Sequence, residues 1–302
     1  MPSARLSSWR PAIALLALSL IWGYTWVLTK QALAYASPFT FAAQRCGGGA
    51  LALFLALWLL GRPRRLVAPR KTLAIALVNV AAFLTLQTWA LVEGGAGKTA
   101  VLNYTMPFWM LVLAWPFLGE RIRLPQWLAA SCALGGLVLV IQPWSMHASP
   151  LSKSLGLGGA ICWAVGSILV KRLRQQCQVD LLALTAWQLL MGAAPLFLLS
   201  IVVPDRATIW SAAYVGILTF TSIASTALCW WLWTYVLDRV PAWEASLSVL
   251  GAPVVALVSS RLLLGEEFQP TEVFGMLLIG VGLALLASID WMARRRIRPT
   301  AS

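Results

Sequence analysis

Residues 107–120 read Pro107-Phe-Trp-Met-Leu-Val-Leu-Ala-Trp-Pro-Phe-Leu-Gly-Glu120, and residues 253–266 read Pro253-Val-Val-Ala-Leu-Val-Ser-Ser-Arg-Leu-Leu-Leu-Gly-Glu266. Both stretches have the same opening proline, the same Leu-Gly-Glu ending and an apolar filling of the same length. The shift that relates them also places Ala96 on Ala242 and Gly136 on Gly282. A pattern that recurs about half a chain apart, with matching neighbours, indicates an internal duplication.

The composition indicates a membrane protein. Hydrophobic residues make up 60% of the chain and charged residues 11%, which is far outside the range of soluble domains. Apolar runs of about 18 residues or more are typical of membrane spans. The net charge of +13 comes from Lys and Arg in short hydrophilic gaps and at the C-terminus. This favours orienting loop charges, with no nucleic-acid partner.

Cofactor chemistry finds no support in the residue pattern. The five cysteines show no spacing that is typical of disulfides or metal ligands. His147 is the only histidine and lies in a polar loop, which excludes histidine-based metal or acid–base chemistry. We therefore expect no cofactor, no metal site and no catalytic residue. The cysteines are Cys46, Cys132, Cys162, Cys177 and Cys229.

The apolar runs predict an all-α polytopic protein with ten transmembrane helices. Five spans fall in a first repeat, residues 1–144, and five in a second, residues 150–293, followed by a basic tail, residues 294–302. An odd number of spans per repeat inverts the second repeat in the membrane. The runs are 12–34, 38–60, 73–92, 97–118, 125–142, 155–171, 181–203, 210–237, 242–264 and 271–293.

The charge distribution agrees with inverted repeats whose termini are both cytoplasmic. The loop after the second span carries five basic residues between Arg62 and Lys71, whereas its counterpart, 204–206, has only Arg206. The first repeated stretch continues into Arg121 and Arg123, and the second continues into an acid. Matching loops thus have opposite charge bias, as the positive-inside rule requires of inverted copies.

These features resemble the EamA type of the drug/metabolite transporter superfamily, and the tryptophan-rich, uncharged spans resemble its YddG-type aromatic amino acid exporters. The resemblance implies a bacterial inner-membrane exporter with ten helices around a central cavity. It also implies that the first, third, fourth, sixth, eighth and ninth spans line that cavity, with the fifth and tenth outside. Arg45 departs from the symmetry, because its repeat equivalent is Gln188. The supporting motifs are the two Pro…Leu-Gly-Glu stretches, the glycine-rich runs after them (Gly135-Gly136; Gly275, Gly280, Gly282) and Ser37-Pro38-Phe-Thr-Phe-Ala-Ala-Gln-Arg45.

Inverted repeats place their substrate site at the interface near the membrane midplane. We therefore predict substrate contacts from aromatic and polar side chains at helical spacing in the lining spans. For Trp22, Trp26 and Trp163, lipid or helix packing is an equal alternative, and for Ser222 and Thr226 close helix packing is the stronger one. The candidates are Trp22, Trp26, Asn79, Phe83, Gln87, Asn103, Tyr104, Trp163, Ser167, Ser222, Thr226 and Trp230.

Pro107 and Pro253 should each free a backbone carbonyl one turn earlier, in Asn103 and Val249. They predict either a pair of hinges or a pair of static kinks.

Three charged residues are predicted at the mouths of the passage. Arg45 lies about two turns into the second span, where it could extend outward, pair with Glu93 or bind a substrate carboxylate. Lys98 and Glu244 begin the fourth spans of the two repeats, on opposite sides, as entry or gate groups.

The sequence predicts an alternating-access exporter of small uncharged or zwitterionic metabolites, with aromatic amino acids as the expected substrates. Its partners are the lipid bilayer and a small-molecule substrate, and we expect a functional monomer. No acid lies in the middle of a span, which favours downhill or weakly coupled export. Export of lipophilic cations or drugs is a close alternative. Sugar-phosphate or nucleotide-sugar transport would need Lys or Arg residues deep in the spans, and apart from Arg45 the predicted spans lack them. A membrane enzyme would need a nucleophile–base pair, and none is found in the predicted spans.

Overall fold

The structure, a computed structural model, describes residues 9–94, 102–142, 144, 150–203, 206–264 and 269–295. Its helices are α1 (Trp9–Ala32), α2 (Pro38–Leu59), α3 (Pro69–Ile75), π1 (Ala76–Ala82), α4 (Phe83–Gly94), α5 (Met106–Leu118), α6 (Leu124–Ile141), α7 (Pro150–Gln176), α8 (Leu181–Val202), α9 (Ala212–Phe220), π2 (Thr221–Leu228), α10 (Cys229–Leu237), α11 (Ala242–Ser248), α12 (Gly251–Leu264) and α13 (Pro270–Arg295).

Eight helical stretches within the described residues are long and apolar enough to cross a membrane, and two further apolar helices are shorter. The shorter ones are Met106–Leu118 and Leu124–Val140. The fourth predicted span was expected to start at residue 97, but residues 97–101 lie outside the described part of the chain, and α5 begins only after a turn at residues 104–105. The all-helical prediction is confirmed for the described chain, together with eight of the spans.

Polar caps define where several helices begin. The Ser37 hydroxyl accepts the Thr40 N–H (3.4 Å) at the start of α2. The Asp180 carboxylate accepts the N–H groups of Leu182 (2.9 Å) and Ala183 (3.0 Å) at the start of α8. These caps satisfy donors that the first helical turn leaves unpaired. A polar residue in a short link therefore ends one apolar run and starts the next.

Two π-helical segments interrupt the third and eighth spans at matching positions. The shift that relates Pro107 to Pro253 carries π1, Ala76–Ala82, onto π2, Thr221–Leu228, to within one residue. A π-helical turn displaces the hydrogen-bond register and is often found at functional sites. The duplication is thus visible in local backbone geometry as well as in sequence.

Close helix crossings follow the same duplication. A Cβ on Gly49 of α2 would lie 2.8 Å from Thr226 Cγ2 and 3.1 Å from the Ser222 carbonyl oxygen. Its counterpart Gly192 in α8 would meet Val80 Cβ at 2.4 Å and the Ala76 carbonyl oxygen at 3.1 Å. Each π segment therefore packs against a glycine of the opposite half.

The fourth and ninth spans are broken immediately before their prolines. The chain turns at residues 104–105 and again at 249–250, so Pro107 and Pro253 both lie in the first turn of a new helix. Proline is well accommodated there because the first-turn N–H has no helical partner. The expectation of a freed carbonyl at Val249 is wrong, since that oxygen accepts the Ala252 N–H at 2.8 Å.

The outer surface of the bundle is apolar. Leu124 is 78% exposed, Leu262 77% and Ile201 74%. Large apolar side chains exposed over a whole surface are expected of a protein surrounded by hydrocarbon.

The polar contacts between interhelix connections form two sets. In one set Arg62 pairs with Asp180 (3.3 Å) and Arg174 with Asp238 (2.9 Å). In the other, the Ile209 N–H donates to the Tyr35 carbonyl (2.8 Å) and Gln142 Nε2 donates to Thr271 Oγ1 (2.6 Å). The first set joins loops predicted on the inner side, and the second joins loops predicted on the outer side.

Candidate substrate-binding cavity

A cavity lies between α1, α2, α4, α7, π2, α10 and the turn before α5. The centres of water-sized molecules can occupy about 110 Å³ of it. It extends from the middle of the spans to the link between α1 and α2. The lining consists mainly of aromatic and hydroxyl side chains: Trp22, Thr25, Trp26, Thr29, Leu33, Pro38, Phe41, Ala42, Arg45, Phe83, Leu84, Gln87, Thr88, Asn103, Tyr104, Met106, Trp163, Ser225 and Trp230.

Trp163 is the centre of an aromatic cluster at the deep end of this cavity. Its ring centroid lies 5.4 Å from that of Trp22, 4.8 Å from Phe83, 5.0 Å from Trp230 and 5.9 Å from Trp233. The Trp22 and Trp230 rings are both nearly perpendicular to it, an edge-to-face arrangement that aromatic pairs favour. Because Trp22 and Trp163 are repeat equivalents, the two halves of the chain meet at this contact.

Hydrogen bonds fix the orientation of the cavity tryptophans. Trp22 Nε1 donates to the Ser225 carbonyl oxygen (3.1 Å), which belongs to π2. Trp26 Nε1 donates to the Tyr104 hydroxyl (2.6 Å) in the turn before α5. Rings held this way present a preformed apolar surface, which is typical of small-molecule sites.

The indole N–H of Trp163 is buried and has no hydrogen-bond partner within the described ranges. Trp163 itself is buried and lies on α7, against α1, α4 and α10. A buried donor without a partner is unfavourable, so this N–H weakens the packing of the cluster as it stands.

Arg45 is the cationic side chain in the described cavity lining. Its Nε donates to Thr226 Oγ1 (3.2 Å), and its guanidinium carbon lies 6.0 Å from the centroid of the Phe41 ring. The described lining of the cavity contains no aspartate or glutamate. The polar part of the cavity is therefore positively charged, and Gln87 and Asn103 add amide groups.

Eight of the twelve predicted contact residues line this cavity: Trp22, Trp26, Phe83, Gln87, Asn103, Tyr104, Trp163 and Trp230. The other four serve helix contacts. A Cβ on Gly166 would lie 2.4 Å from Asn79 Cβ, and one on Gly48 would lie 2.7 Å from Ser222 Oγ. Ser167 Oγ accepts the Trp233 indole N–H (3.0 Å), and Thr226 packs on Gly49 while binding Arg45.

The predicted gate residues have separate positions. Arg45 lines the cavity, and the side chain of Glu93, its predicted partner, lies outside the described part of the structure. Lys98 is likewise outside the described residues. Glu244 is half-buried in the first turn of α11.

Several lining residues were not among the predicted contacts. Thr25 and Thr29 lie three residues after Trp22 and Trp26, so helical spacing already placed them on the same face of α1. Ser225 and Met106 carry no such signal, because the π segment and the turn that present them are not visible in the sequence pattern. Trp233 belongs to the aromatic cluster but was not a predicted contact. Its repeat equivalent, Gln87, was predicted, so the duplication offered a signal for it.

Glu120, the last residue of the first repeated stretch, joins three elements of the fold. Its carboxylate pairs with Lys171 of α7 (2.7 Å) and accepts the Ala242 N–H at the start of α11 (2.7 Å). Lys171 also donates to the Val240 carbonyl oxygen (2.6 Å). This cluster, Glu120, Lys171, Val240 and Ala242, connects the fourth, sixth and ninth spans.

The chain is similar to known membrane transporters. The model of the EamA-like transporter family matches residues 9–142 and again residues 152–288. The uncharacterized transporter YoaV of Bacillus subtilis is 29% identical over 281 residues, or 90% of this chain and 94% of YoaV. A probable amino-acid metabolite efflux pump of Salmonella typhimurium is 26% identical over 276 residues, or 87% of this chain and 90% of that protein.

A solved crystal structure has the same fold. It superposes with a TM-score of 0.80 at 18% sequence identity, covering 93% of this chain and 99% of the other.

Proposed function

Because the chain belongs to the EamA-like transporter family, we propose that it exports small metabolites across the bacterial inner membrane, with aromatic or other apolar amino acids as substrates. The observation that carries this proposal is the aromatic cluster around Trp163 at the deep end of the cavity. An indole or phenyl group would bind there by stacking and apolar contact. The similarity to the Salmonella amino-acid metabolite efflux pump supports the amino-acid class, and the tryptophan-rich, uncharged spans, which resemble those of YddG-type exporters, support the aromatic one.

The proposed architecture is ten helices in two inverted five-helix repeats, residues 1–144 and 150–293. Three observations support it: the matching π segments, the matched glycine contacts at Gly49 and Gly192, and the division of the connections into two sets. With the positive-inside rule, the arginine-rich set is cytoplasmic and both termini face inward.

This arrangement supports an alternating-access mechanism. The cavity reaches the outer link between α1 and α2, and the Glu120–Lys171 cluster joins three spans on the inner side. Opening the inner side would require that cluster to separate, and the breaks before Pro107 and Pro253 are the proposed hinges. The variants Pro107→Ala and Pro253→Ala should slow flux, because alanine favours a continuous helix; unchanged flux in the double variant, at equal reconstitution, would remove the hinge role.

The test of function is flux of radiolabelled tryptophan and phenylalanine in proteoliposomes. We expect saturable flux, and Trp163→Leu should raise KM about tenfold by removing the aromatic contacts. The matched control is Trp58→Leu, since Trp58 is 59% exposed on α2 and its loss should leave KM unchanged. Trp163→Phe separates ring loss from misfolding. Absence of saturable flux in the wild type, or equal KM values for Trp163→Leu and Trp58→Leu, would contradict the proposal.

Export of lipophilic cations is the second candidate, because an aromatic cavity also binds cations through ring faces. Arg45 and the acid-free lining oppose it, since a cation would be repelled by the guanidinium in a low-dielectric site. Competition by tetraphenylphosphonium against a tryptophan tracer distinguishes the two candidates: inhibition of tryptophan flux would favour the cation exporter, and no inhibition would favour the amino-acid exporter.

A further inference from the structure

We propose that Arg45 is the specificity-determining residue of this cavity and binds the carboxylate of the substrate, so that aromatic monocarboxylates are transported whether or not they carry an α-amino group. The inference rests on the proposed function and narrows its substrate class.

The position of Arg45 supports binding of an anion. Among the described residues Arg45 makes no ion pair, and its hydrogen bond to Thr226 uses only Nε. A guanidinium within a membrane span is unfavourable without a counter-charge or water. A carboxylate that enters the cavity can accept two parallel N–H bonds from the guanidinium, which is the geometry that arginine recognises best.

The surroundings hold the guanidinium in place before a substrate arrives. Thr226 is itself fixed, because its methyl group packs on Gly49 of α2, the helix that carries Arg45. Phe41 lies one turn before Arg45 and faces the guanidinium at 6.0 Å. A side chain that is oriented in advance loses less entropy on binding.

The number of cationic side chains in the described cavity lining favours a substrate with a single negative charge. The repeat equivalent of Arg45 is Gln188, which is buried in α8 and neutral. The described cavity lining therefore contains one cation, enough for a carboxylate. A phosphate dianion would be left with an uncompensated charge in a low-dielectric site.

No acidic side chain of the described cavity lining can pair with the α-ammonium group of an amino acid. The described lining contains no carboxylate, so hydroxyl groups, amide oxygens and ring faces must replace water around the ammonium. Since desolvating a charged group without pairing it is unfavourable, an analogue without the amine should bind at least as well. An analogue without the carboxylate loses the Arg45 contact and should bind worse.

Three indole compounds test this directly as competitors of tryptophan flux in proteoliposomes. They are unlabelled tryptophan, indole-3-propionate, which lacks the amine, and tryptamine, which lacks the carboxylate. We expect indole-3-propionate to inhibit at concentrations no higher than tryptophan does, and tryptamine to need about tenfold more or beyond. Tryptamine that inhibits as well as indole-3-propionate, or indole-3-propionate tenfold weaker than tryptophan, would overturn the inference.

Variants assign the preference to Arg45. Arg45→Gln should bring the inhibitory concentrations of tryptamine and indole-3-propionate close together, whereas Arg45→Lys should keep part of the difference. Thr226→Val retains the shape that packs on Gly49 and removes the hydrogen bond, so the preference should fall without loss of folding. The charge control is Arg121→Gln, because Arg121 is exposed after α5 and its loss should leave the preference intact.

The outcomes separate the two proposals. If the wild type shows no saturable flux of tryptophan, the proposed function fails. If tryptophan flux is saturable but Arg45→Gln and Thr226→Val both keep the wild-type carboxylate preference, only the role of Arg45 fails.

Discussion

Glu120 shows how one side chain can join elements that are distant in sequence. Its carboxylate contacts Lys171 and the first N–H of α11, so it acts both as an ion-pair partner and as an anion at a helix N-terminus. An acid is favoured there because the first N–H groups of a helix are unpaired and carry partial positive charge. This is a physical reason for a glutamate at the end of the first repeated stretch.

We predict that Glu120→Gln destabilises the protein by about 2–4 kcal/mol, because it leaves Lys171 without its counter-charge. The side chains of Lys171 and Glu120 are only 14% and 13% exposed. Arg62→Gln is the comparison, since Arg62 is 50% exposed in its pair with Asp180, and its loss should change stability by less than about 1 kcal/mol.

The measurement is unfolding in detergent micelles. The double variant Glu120→Gln, Lys171→Met should recover part of the lost stability, because no unpaired cation remains. Equal effects of Glu120→Gln and Arg62→Gln would show that the cluster adds no more than a surface pair.

At the scale of single elements, glycines decide how closely helices approach. A Cβ on Gly136 of α6 would lie 2.6 Å from the carbonyl oxygen of Gly275 in α13, which is too close for any side chain. The neighbouring Gly135 would place its Cβ 3.7 Å from Leu278, an ordinary contact. Adjacent glycines in one helix therefore have different roles, which is common where membrane helices pack through small residues.

Substitutions of Gly136 and of its neighbour Gly135 give a prediction together with its control. Gly136→Ala should lower the free energy of unfolding by about 1–3 kcal/mol, because the two backbones must separate. Gly135→Ala should be neutral or slightly stabilising, because alanine is the better helix former. Thermal unfolding of both variants in the same detergent is the measurement, and equal melting temperatures would mean that α6 and α13 do not cross through Gly136.

The same elements show what could be predicted from the sequence. Spans such as α2 and α8 were predicted to within a few residues, since apolar runs and short polar links determine their length. The rotation of each helix was harder to predict, because a helix that is apolar all round carries little periodic signal. Asn79, Ser222 and Thr226 were therefore assigned to the cavity although they pack on helices. The π segments and the turn before α5 depend on tertiary contacts, so no local pattern indicates them.

At the scale of the whole molecule, the two halves meet through repeat-equivalent residues, most directly at Trp22 and Trp163. The cavity nevertheless departs from symmetry, because Arg45 faces it from one half only and Gln188 is buried in the other. A duplicated frame can thus bind a substrate whose two ends differ, with an apolar ring at one end and a charge at the other. Downhill export stays a prediction; flux driven by an imposed pH gradient alone would contradict it.

The most direct measurement is the membrane topology of the two halves. Reporters inserted after residue 68, in the arginine-rich loop of the first half, and after residue 148, between the halves, can be assayed for exposure to the cytoplasm or the periplasm. Inverted five-span repeats predict that the reporter at residue 68 is cytoplasmic and the one at residue 148 periplasmic. Both reporters on one side of the membrane would contradict the inverted arrangement.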